Sequence, residues 1–319
     1  LIKSSPKSCV VRLGTRGSLL ALAQTRLVEK ALKSRFRDVT VETVVIKTSG
    51  DVRRFKKGSL KEVPSYGKGL FVKELEESLR RGFIDMAVHS LKDLPTRLPE
   101  GLTLAAVLER EDARDCLVSQ GHRSLAGLEP GSLVGTNSLR RQAQILAAYP
   151  RLRVVPVRGN VDTRMRRVKE GALSAVVLAR AGLLRLGRAD EATQIFSLKR
   201  MMPAAGQGFI GIEIRRSDRS ARRWAEGLNH LKSFCEARAE RAFLDGLGGG
   251  CRIPAACWAR IDRKTLRIDG LVMSPDGQSR AAGSVSGSPR DPDGVGRRLA
   301  RTMVRAGALS LWDGEDFCR

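Results

Sequence analysis

Short apolar strands alternate with amphipathic helices along this chain, and turns of Gly, Ser, Thr and Arg fill the joints between them. That alternation restricts the fold more than any other feature, because strands separated by single helices pack most readily as helix-covered sheets. Val10 to Leu13 reads as a buried strand that leads into Gly14-Thr15-Arg16-Gly17-Ser18. Leu20, Ala23, Leu27 and Ala31 then recur at spacings of three and four, the mark of one helix face. Val39 to Lys47 is the next strand. Residues 48–69, rich in Gly, Lys and Arg and without periodicity, are expected to form a mobile surface loop. Phe71, Leu75 and Leu79 mark a helix, and Ile84 to Val88 a strand that ends at His89-Ser90-Leu91-Lys92-Asp93.

A second series begins near residue 114. Leu133-Val134 leads into Gly135-Thr136-Asn137-Ser138-Leu139-Arg140-Arg141 and a helix through Ala147. Val154 to Val157 leads into Arg158-Gly159-Asn160-Val161-Asp162-Thr163-Arg164 and another helix. Ala175 to Leu178 and Phe209 to Ile214 read as further strands. The pattern predicts two α/β domains with parallel sheets. The last ninety or so residues differ: a helix around Glu236 to Leu244 precedes strands at Ala255 to Ile261, Leu266 to Met273 and Ala281 to Ser286, and a covering helix spans Val295 to Ala306. This third part reads as a small α+β domain. The expected boundaries are 9–108 with 209–227, then 112–203, then 230–319.

Charge narrows the partners. Lys and Arg number 58 against 34 Asp and Glu, a formal net charge of +24, so the chain needs an acidic partner: nucleic acid, an anionic membrane or a polyanionic small molecule. Aromatic residues make up only 4%, which argues against a single-strand binder built on stacking platforms. No apolar stretch is long enough to cross a bilayer. The six cysteines are far apart and three histidines are too few for a structural zinc site, so no metal is expected and a reducing compartment is favoured over a disulfide framework. The first residue is Leu rather than Met, and a trimmed leader is one explanation.

Three sets of residues suggest chemistry. Arg16, Arg140, Arg141, Arg158 and Arg164 lie at strand-to-helix junctions or in the first turns beyond them, joined by the hydroxyls of Thr15, Ser18, Thr136 and Ser138. Ligands of open α/β sheets bind at those junctions, where helix N-termini attract anions and the guanidinium fork matches a carboxylate or phosphate. Taken singly, each is equally a capped helix with a solvated arginine. Cys251, at the tip of Gly248-Gly249-Gly250-Cys251-Arg252, has the backbone freedom and the neighbouring cation that favour a reactive thiolate. The same run also reads as a glycine turn that happens to end in cysteine. Asp93 is a lone carboxylate in a cationic setting, suited to proton transfer or to steadying a positive charge, or else a salt-bridged loop residue. No GxxxxGK[ST] and no GxGxxG after a strand is present, which argues against a nucleotide.

Val11-Arg12-Leu13-Gly14-Thr15-Arg16-Gly17-Ser18, Gly67-Lys68-Gly69-Leu70-Phe71-Val72-Lys73-Glu74-Leu75, Val88-His89-Ser90-Leu91-Lys92-Asp93-Leu94-Pro95, Val134-Gly135-Thr136-Asn137-Ser138-Leu139-Arg140-Arg141, Arg158-Gly159-Asn160, Ala205-Gly206-Gln207-Gly208 and Gly249-Gly250-Cys251 occur in the order of their counterparts in porphobilinogen deaminases (hydroxymethylbilane synthases), which the chain resembles from about residue 10 to its end. The resemblance implies two periplasmic-binding-protein-like α/β domains plus a small α+β C-terminal domain. It implies a transferase of tetrapyrrole biosynthesis that joins four porphobilinogen units head to tail with loss of four ammonia. Cys251 would hold a dipyrromethane cofactor through a thioether, and Asp93 would be the catalytic carboxylate that steadies the cationic azafulvene. Ser90, Lys92, Thr136, Ser138, Arg140, Arg141, Gly159, Asn160 and Arg164 would surround the cofactor. Arg16, Ser18, Gln24, Arg158 and Arg185 would meet the substrate, with Lys68 and Phe71 at the entrance. It further implies a monomer with no nucleic-acid or membrane partner, in cytoplasm or an organelle stroma, whose product passes to a uroporphyrinogen-forming enzyme.

The chemistry accounts for the charge: each pyrrole of such a substrate brings two carboxylates. Departures from the family pattern are Asn137, Gly248, Pro156-Val157 and Arg180. Two other classes share single features. A non-catalytic anion-binding module would use the arginine turns but not Cys251 or Asp93, and a nucleic-acid binder would share the charge but not its placement in Gly/Ser turns.

Overall fold

A computed structural model describes residues 9–46, 72–121, 124–248 and 253–311. The chain divides into two compact units, residues 1–109 with 209–234 and residues 110–208 with 235–319. Each accounts for its own share of the candidate site.

The first unit contains β1 (Cys9–Arg16), α1 (Leu19–Arg35), β2 (Val39–Ile46), α2 (Lys73–Arg80), β3 (Met86–Ser90), β4 (Leu102–Val107), β10 (Ile210–Arg215) and α6 (Arg219–Leu228). Its sheet has the order β2-β1-β3-β10-β4. The alternating side chains of β3 explain why both faces are covered. Met86 and Val88 pack with Val11, Leu13, Ile212 and the α1 residues Val28 and Leu32, while Ala87 joins Leu75 and Leu79 of α2 on the other face. Gln24, Val28 and Leu32 form the buried stripe of α1 at a spacing of four, and Lys33 and Arg35 in its last turn complement the helix dipole.

The second unit contains two sheets. β5 (Asp115–Ser119), β6 (Leu133–Gly135), β7 (Arg153–Val155), β8 (Ala175–Ala179) and β9 (Gln194–Ile195) are arranged β7-β6-β8-β5-β9, with α3 (Leu139–Ala148), α4 (Val161–Lys169) and α5 (Arg180–Arg185) between them. Leu117, Val134 and Val177 bury one face, and Cys116, Val176 and Leu178 the other. The remainder is an antiparallel meander of β11 (Ala255–Asp262), β12 (Thr265–Met273) and β13 (Arg280–Gly287), with α7 (Leu231–Gly246) and α8 (Pro292–Arg305). Phe243, Leu266, Ile268, Val295, Leu299 and Met303 fill its core. Glu240 of α7 is fully buried and accepts hydrogen bonds from Arg110 Nη1 at 2.8 Å, Gly206 N at 2.8 Å and Ala259 N at 2.9 Å. Gly277, in the β12–β13 hairpin, has φ +78°, and a Cβ there would fall 2.4 Å from the Ala143 carbonyl oxygen of α3.

The mixed α/β architecture with a smaller three-stranded sheet agrees with the expected fold class. The sheets themselves are not purely parallel. β10 runs antiparallel to β3 and β4, and β5 antiparallel to β8 and β9. Apolar periodicity identifies a buried strand but carries no information about its direction, so this difference is invisible in the pattern. β4 and the two-residue β9 are additions, and α7 starts five residues earlier than the periodicity predicts. The expected loop 48–69 lies outside the described residues. Among those that are described, no helix is long and apolar enough to cross a membrane.

Candidate functional site

In the first unit the parallel strands β1 and β3 end side by side, with Leu13 opposite Met86 and Gly14 opposite Ala87. Arg16, half-buried, closes β1. Ser18 is the N-cap of α1, its hydroxyl accepting from Ala21 N at 3.3 Å. Nearly two turns on, buried Gln24 exchanges hydrogen bonds with the Ser90 hydroxyl at the end of β3, at 2.9 and 3.0 Å. This link ties the α1 junction to the segment that follows β3. There Leu91–Asp93 forms a single 3₁₀ turn closed by the bond from Leu94 N to Leu91 O at 3.1 Å. Leu91 and Leu94 are buried, Lys92 is half-buried and Asp93 is exposed. Two buried apolar anchors thus hold a turn that presents one carboxylate to solvent. Directly before it, His89 Nε2 lies 3.0 Å from Glu213 Oε2, both side chains buried. Glu76, also buried, is pushed up by desolvation and by the nearby Glu213 charge.

In the second unit β6, β7 and β8 are parallel, so their carboxyl ends share one edge. Thr136 is buried beyond β6, and its hydroxyl accepts from Ser138 N at 3.2 Å. Ser138 is the N-cap of α3, yet its own hydroxyl makes no capping bond. At the end of β7, Gly159 has φ +111°, a left-handed conformation that favours glycine, and a Cβ there would lie 2.7 Å from the Thr163 side chain. Asn160 caps α4 by accepting from Thr163 N at 2.9 Å, and Arg164 Nε donates to Gly159 O at 3.0 Å. Arg158 is exposed. Arg185, at the end of α5, donates to Gly208 O at 2.5 Å, and burial pulls its guanidinium down to about 10. Of the departures, Arg180 pairs with Asp112 at 2.9 Å, and Gly248 has φ +94°.

Arg140 and Arg141 are not surface arginines. Each is 5% exposed, and both hold one carboxylate, that of the fully buried Asp115 at the start of β5. Arg140 Nη1 donates to Asp115 Oδ2 at 2.8 Å and to Met202 O at 2.7 Å. Arg141 donates to Asp115 Oδ1 from Nε at 3.2 Å and Nη2 at 2.7 Å, and from Nη1 to Val177 O at 2.8 Å. Gln207 Nε2 completes the set at 2.8 Å from Oδ1. Burial alone would push Asp115 up, but the two guanidinium charges and their hydrogen bonds hold it far below the ordinary carboxylate range. Asp115 was no sequence candidate; a charged residue opening the apolar run Cys116-Leu117-Val118 is its only signal.

The cluster fits an added carboxylate. Arg140 Nε is buried with no hydrogen-bond partner, and neither Nη2 of that residue nor the Ser138 hydroxyl has one among the described residues. An orphaned guanidinium nitrogen in the first turn of a helix whose N-cap hydroxyl makes no capping bond is suited to an anion. Cys251, Lys68 and Phe71 lie outside the described residues. Three of the four described thiols are poor substitutes for Cys251: burial pushes Cys116 up to about 12, Cys257 well above its ordinary value, and Cys235 upward, while Cys9 is exposed at the start of β1.

Comparison with known proteins places the chain among its relatives. Residues 11–223 match the family model described as "Porphobilinogen deaminase, dipyromethane cofactor binding domain", and residues 234–305 match "Porphobilinogen deaminase, C-terminal domain". The porphobilinogen deaminase of Syntrophomonas wolfei subsp. wolfei is 45% identical over 301 residues, covering 94% of this chain and 97% of that one. That of Geobacillus kaustophilus is 45% identical over 300 residues, covering 94% and 95%. Among solved structures, the methionine-binding protein MetQ aligns over 69% of this chain and 89% of its own, at 13% identity and a TM-score of 0.44.

Proposed function

The chain belongs to the porphobilinogen deaminase family, transferases of tetrapyrrole synthesis with a dipyrromethane-binding domain, and from that premise we propose that it joins four porphobilinogen units head to tail, releasing four ammonia, to give hydroxymethylbilane. The observation that carries this reading is the carboxylate of Asp93, held out to solvent by the buried Leu91 and Leu94 in a chain of net charge +24. When bound, the dipyrromethane supplies the two-ring primer for the added units.

The chain's own residues divide the work. Cys251 anchors the primer through its sulfur. Arg140, through its Nε–Nη2 edge, and Ser138, through its hydroxyl, receive primer carboxylates, with Thr136, Gly159, Asn160 and Arg164 shaping the same sheet edge. Arg16, Ser18, Arg158 and Arg185 serve the acetate and propionate groups of incoming units, and Lys68 and Phe71 border their entrance. Asp93 faces the positive charge that grows on a porphobilinogen unit as its C–N bond breaks and ammonia leaves. A carboxylate opposite a developing cation lowers the barrier electrostatically and lies within reach of pyrrole N–H protons. The Gln24–Ser90 bonds fix the strand end from which that carboxylate projects. The three domains proposed are 9–108 with 209–227, 112–203 and 230–319. The protein works as a cytoplasmic monomer that hands its product to a uroporphyrinogen-forming enzyme.

Intact mass of the purified chain tests the reading. An addition of two pyrrole units that maps to Cys251 and is lost, together with porphobilinogen consumption, in Cys251→Ser is the expected result. A bare wild-type chain, or an adduct on Cys257, refutes it.

A further inference from the structure

Arg140 and Arg141 are neighbours in sequence, yet their guanidinium groups face different tasks. Arg141 turns its Nε–Nη2 edge, the edge that forms a two-pronged contact, onto Asp115 Oδ1, and spends Nη1 on Val177 O. Arg140 does the opposite. Its Nη1 is fixed between Asp115 Oδ2 and Met202 O, which leaves the Nε–Nη2 edge unengaged although the side chain is 95% buried by the measure of its 5% exposure. A buried guanidinium nitrogen with no acceptor is costly to maintain in an apolar setting, and Nε of Arg140 persists in that state because Nη1 is locked.

Charge points the same way. Two buried guanidinium groups around one buried carboxylate leave a single positive charge uncompensated. One carboxylate neutralises that excess; two would overshoot it. Without Asp115 the guanidinium groups would repel each other with only the Met202 carbonyl to hold Nη1 of Arg140, and the Nε–Nη2 edge would lose its direction.

The geometry points to Asp115 as a positioning residue: it fixes Arg140 through Nη1, uses Arg141 as a counter-clamp, and so aims the Nε–Nη2 edge of Arg140 at one carboxylate of the bound dipyrromethane. Asp115 touches neither primer nor substrate and acts only through Arg140. Gln207, whose Nε2 donates to both Asp115 Oδ1 and Ala113 O at 2.8 and 2.7 Å, holds the carboxylate at Oδ1, the oxygen that Arg140 Nη1 does not use. This assignment rests on the proposed function, because it supposes that a pyrrole carboxylate is what arrives.

Asp115→Asn keeps the shape but has one oxygen where two are used, and sets an N–H₂ donor against a guanidinium. Intact mass gives the fraction of folded chains that carry the dipyrromethane adduct at Cys251. Thermal melting is recorded separately in a Cys251→Ser background, where no chain carries it. The expected result is a folded Asp115→Asn protein whose adduct-bearing fraction is at least tenfold below wild type. Should that variant not fold, Asp115→Glu decides. It retains the charge and moves the oxygens by one methylene, and the same loss is expected. A purely structural Asp115 would lower melting in the Cys251→Ser background and leave the adduct fraction at the wild-type level; that outcome overturns the assignment, as does failure of both variants to fold. A wild-type chain without adduct overturns the proposed function as well, whereas equal adduct on wild type and Asp115→Asn overturns this assignment alone.

Discussion

Arg141→Leu gives the sharpest test of the buried cluster as a source of stability. The substitution removes two of the three donors to Asp115 Oδ1 and the donor to Val177 O, while Arg140 and Gln207 continue to hold the carboxylate. Taking one partner from a buried ion pair costs about 3–5 kcal/mol. For a cooperative unit of roughly 150–250 residues each kcal/mol lowers Tm by about 2–4 °C, so a fall of roughly 6–20 °C is expected. Melting should be followed by circular dichroism in the Cys251→Ser background, so that no adduct contributes. The pH dependence identifies the source. Asp115 is depressed in the folded state, so its contribution is complete above the unfolded carboxyl value of about 4 and is lost as pH falls below it. The unfolded carboxyl is common to both proteins, so the gap between the parent and Arg141→Leu should be constant from about pH 8 to 5 and narrow only once pH falls below the Asp115 value of the variant, which loss of one guanidinium raises above the parent's. Asp85 and Asp112, also lowered, destabilise both proteins alike in acid and cancel in the difference. A gap below about 2 °C at neutral pH, or one that narrows at no acid pH where both proteins still fold, would refute the reasoning.

Two further outcomes follow from the fold and the site. Asp93→Ala should reduce porphobilinogen turnover by at least two orders of magnitude with an unchanged melting temperature, because Asp93 is exposed, and Asp93→Glu should retain more activity than Ala; equal rates in a steady-state assay would remove Asp93 from the mechanism. Gly277→Ala should cost about 1–2 kcal/mol from its left-handed backbone alone, and more because the new Cβ meets the main chain of α3 at 2.4 and 2.6 Å; unaltered thermal melting would show that the hairpin yields freely.

Much of the fold is legible because burial writes a period into the chain. The strand at Val11 and Leu13 is visible as apolar residues two apart; the helix after it is visible too, but the spacing of Leu20, Ala23, Leu27 and Ala31 names a face next to the buried one, for Leu27 is exposed while Gln24, Val28 and Leu32 turn inward. Direction is not written that way. β10 pairs antiparallel with β3 although Ile210, Ile212 and Ile214 would satisfy either orientation, so a parallel sheet is the natural and mistaken expectation. β4 is harder still, because Leu102 packs with α2 on one face and Ala106 with α1 on the other, and its Leu-Thr-Leu-Ala-Ala-Val run has no clean alternation.

The site divides along a different line. Ser18, Asp93, Ser138 and Asn160 are readable because a turn or cap declares their position within a few residues of chain, whereas Gln24, inside α1, is named only by the family resemblance. The environment of Arg140 and Arg141 is not readable, because its centre, Asp115, is 25 and 26 residues away and belongs to another strand. A sequence rich in arginine predicts anion binding but cannot say which guanidinium groups are already satisfied. Here one arginine is spent on a buried carboxylate, and its neighbour is left with one edge open for the same reason. The +24 of the chain therefore overstates the charge offered to a ligand at this edge: two adjacent cations present the pull of one, in a fixed direction. Direction matters more than magnitude for a ligand with several similar carboxylates, since an unaimed excess of positive charge would bind every one of them in many poses, while a single clamped fork selects one.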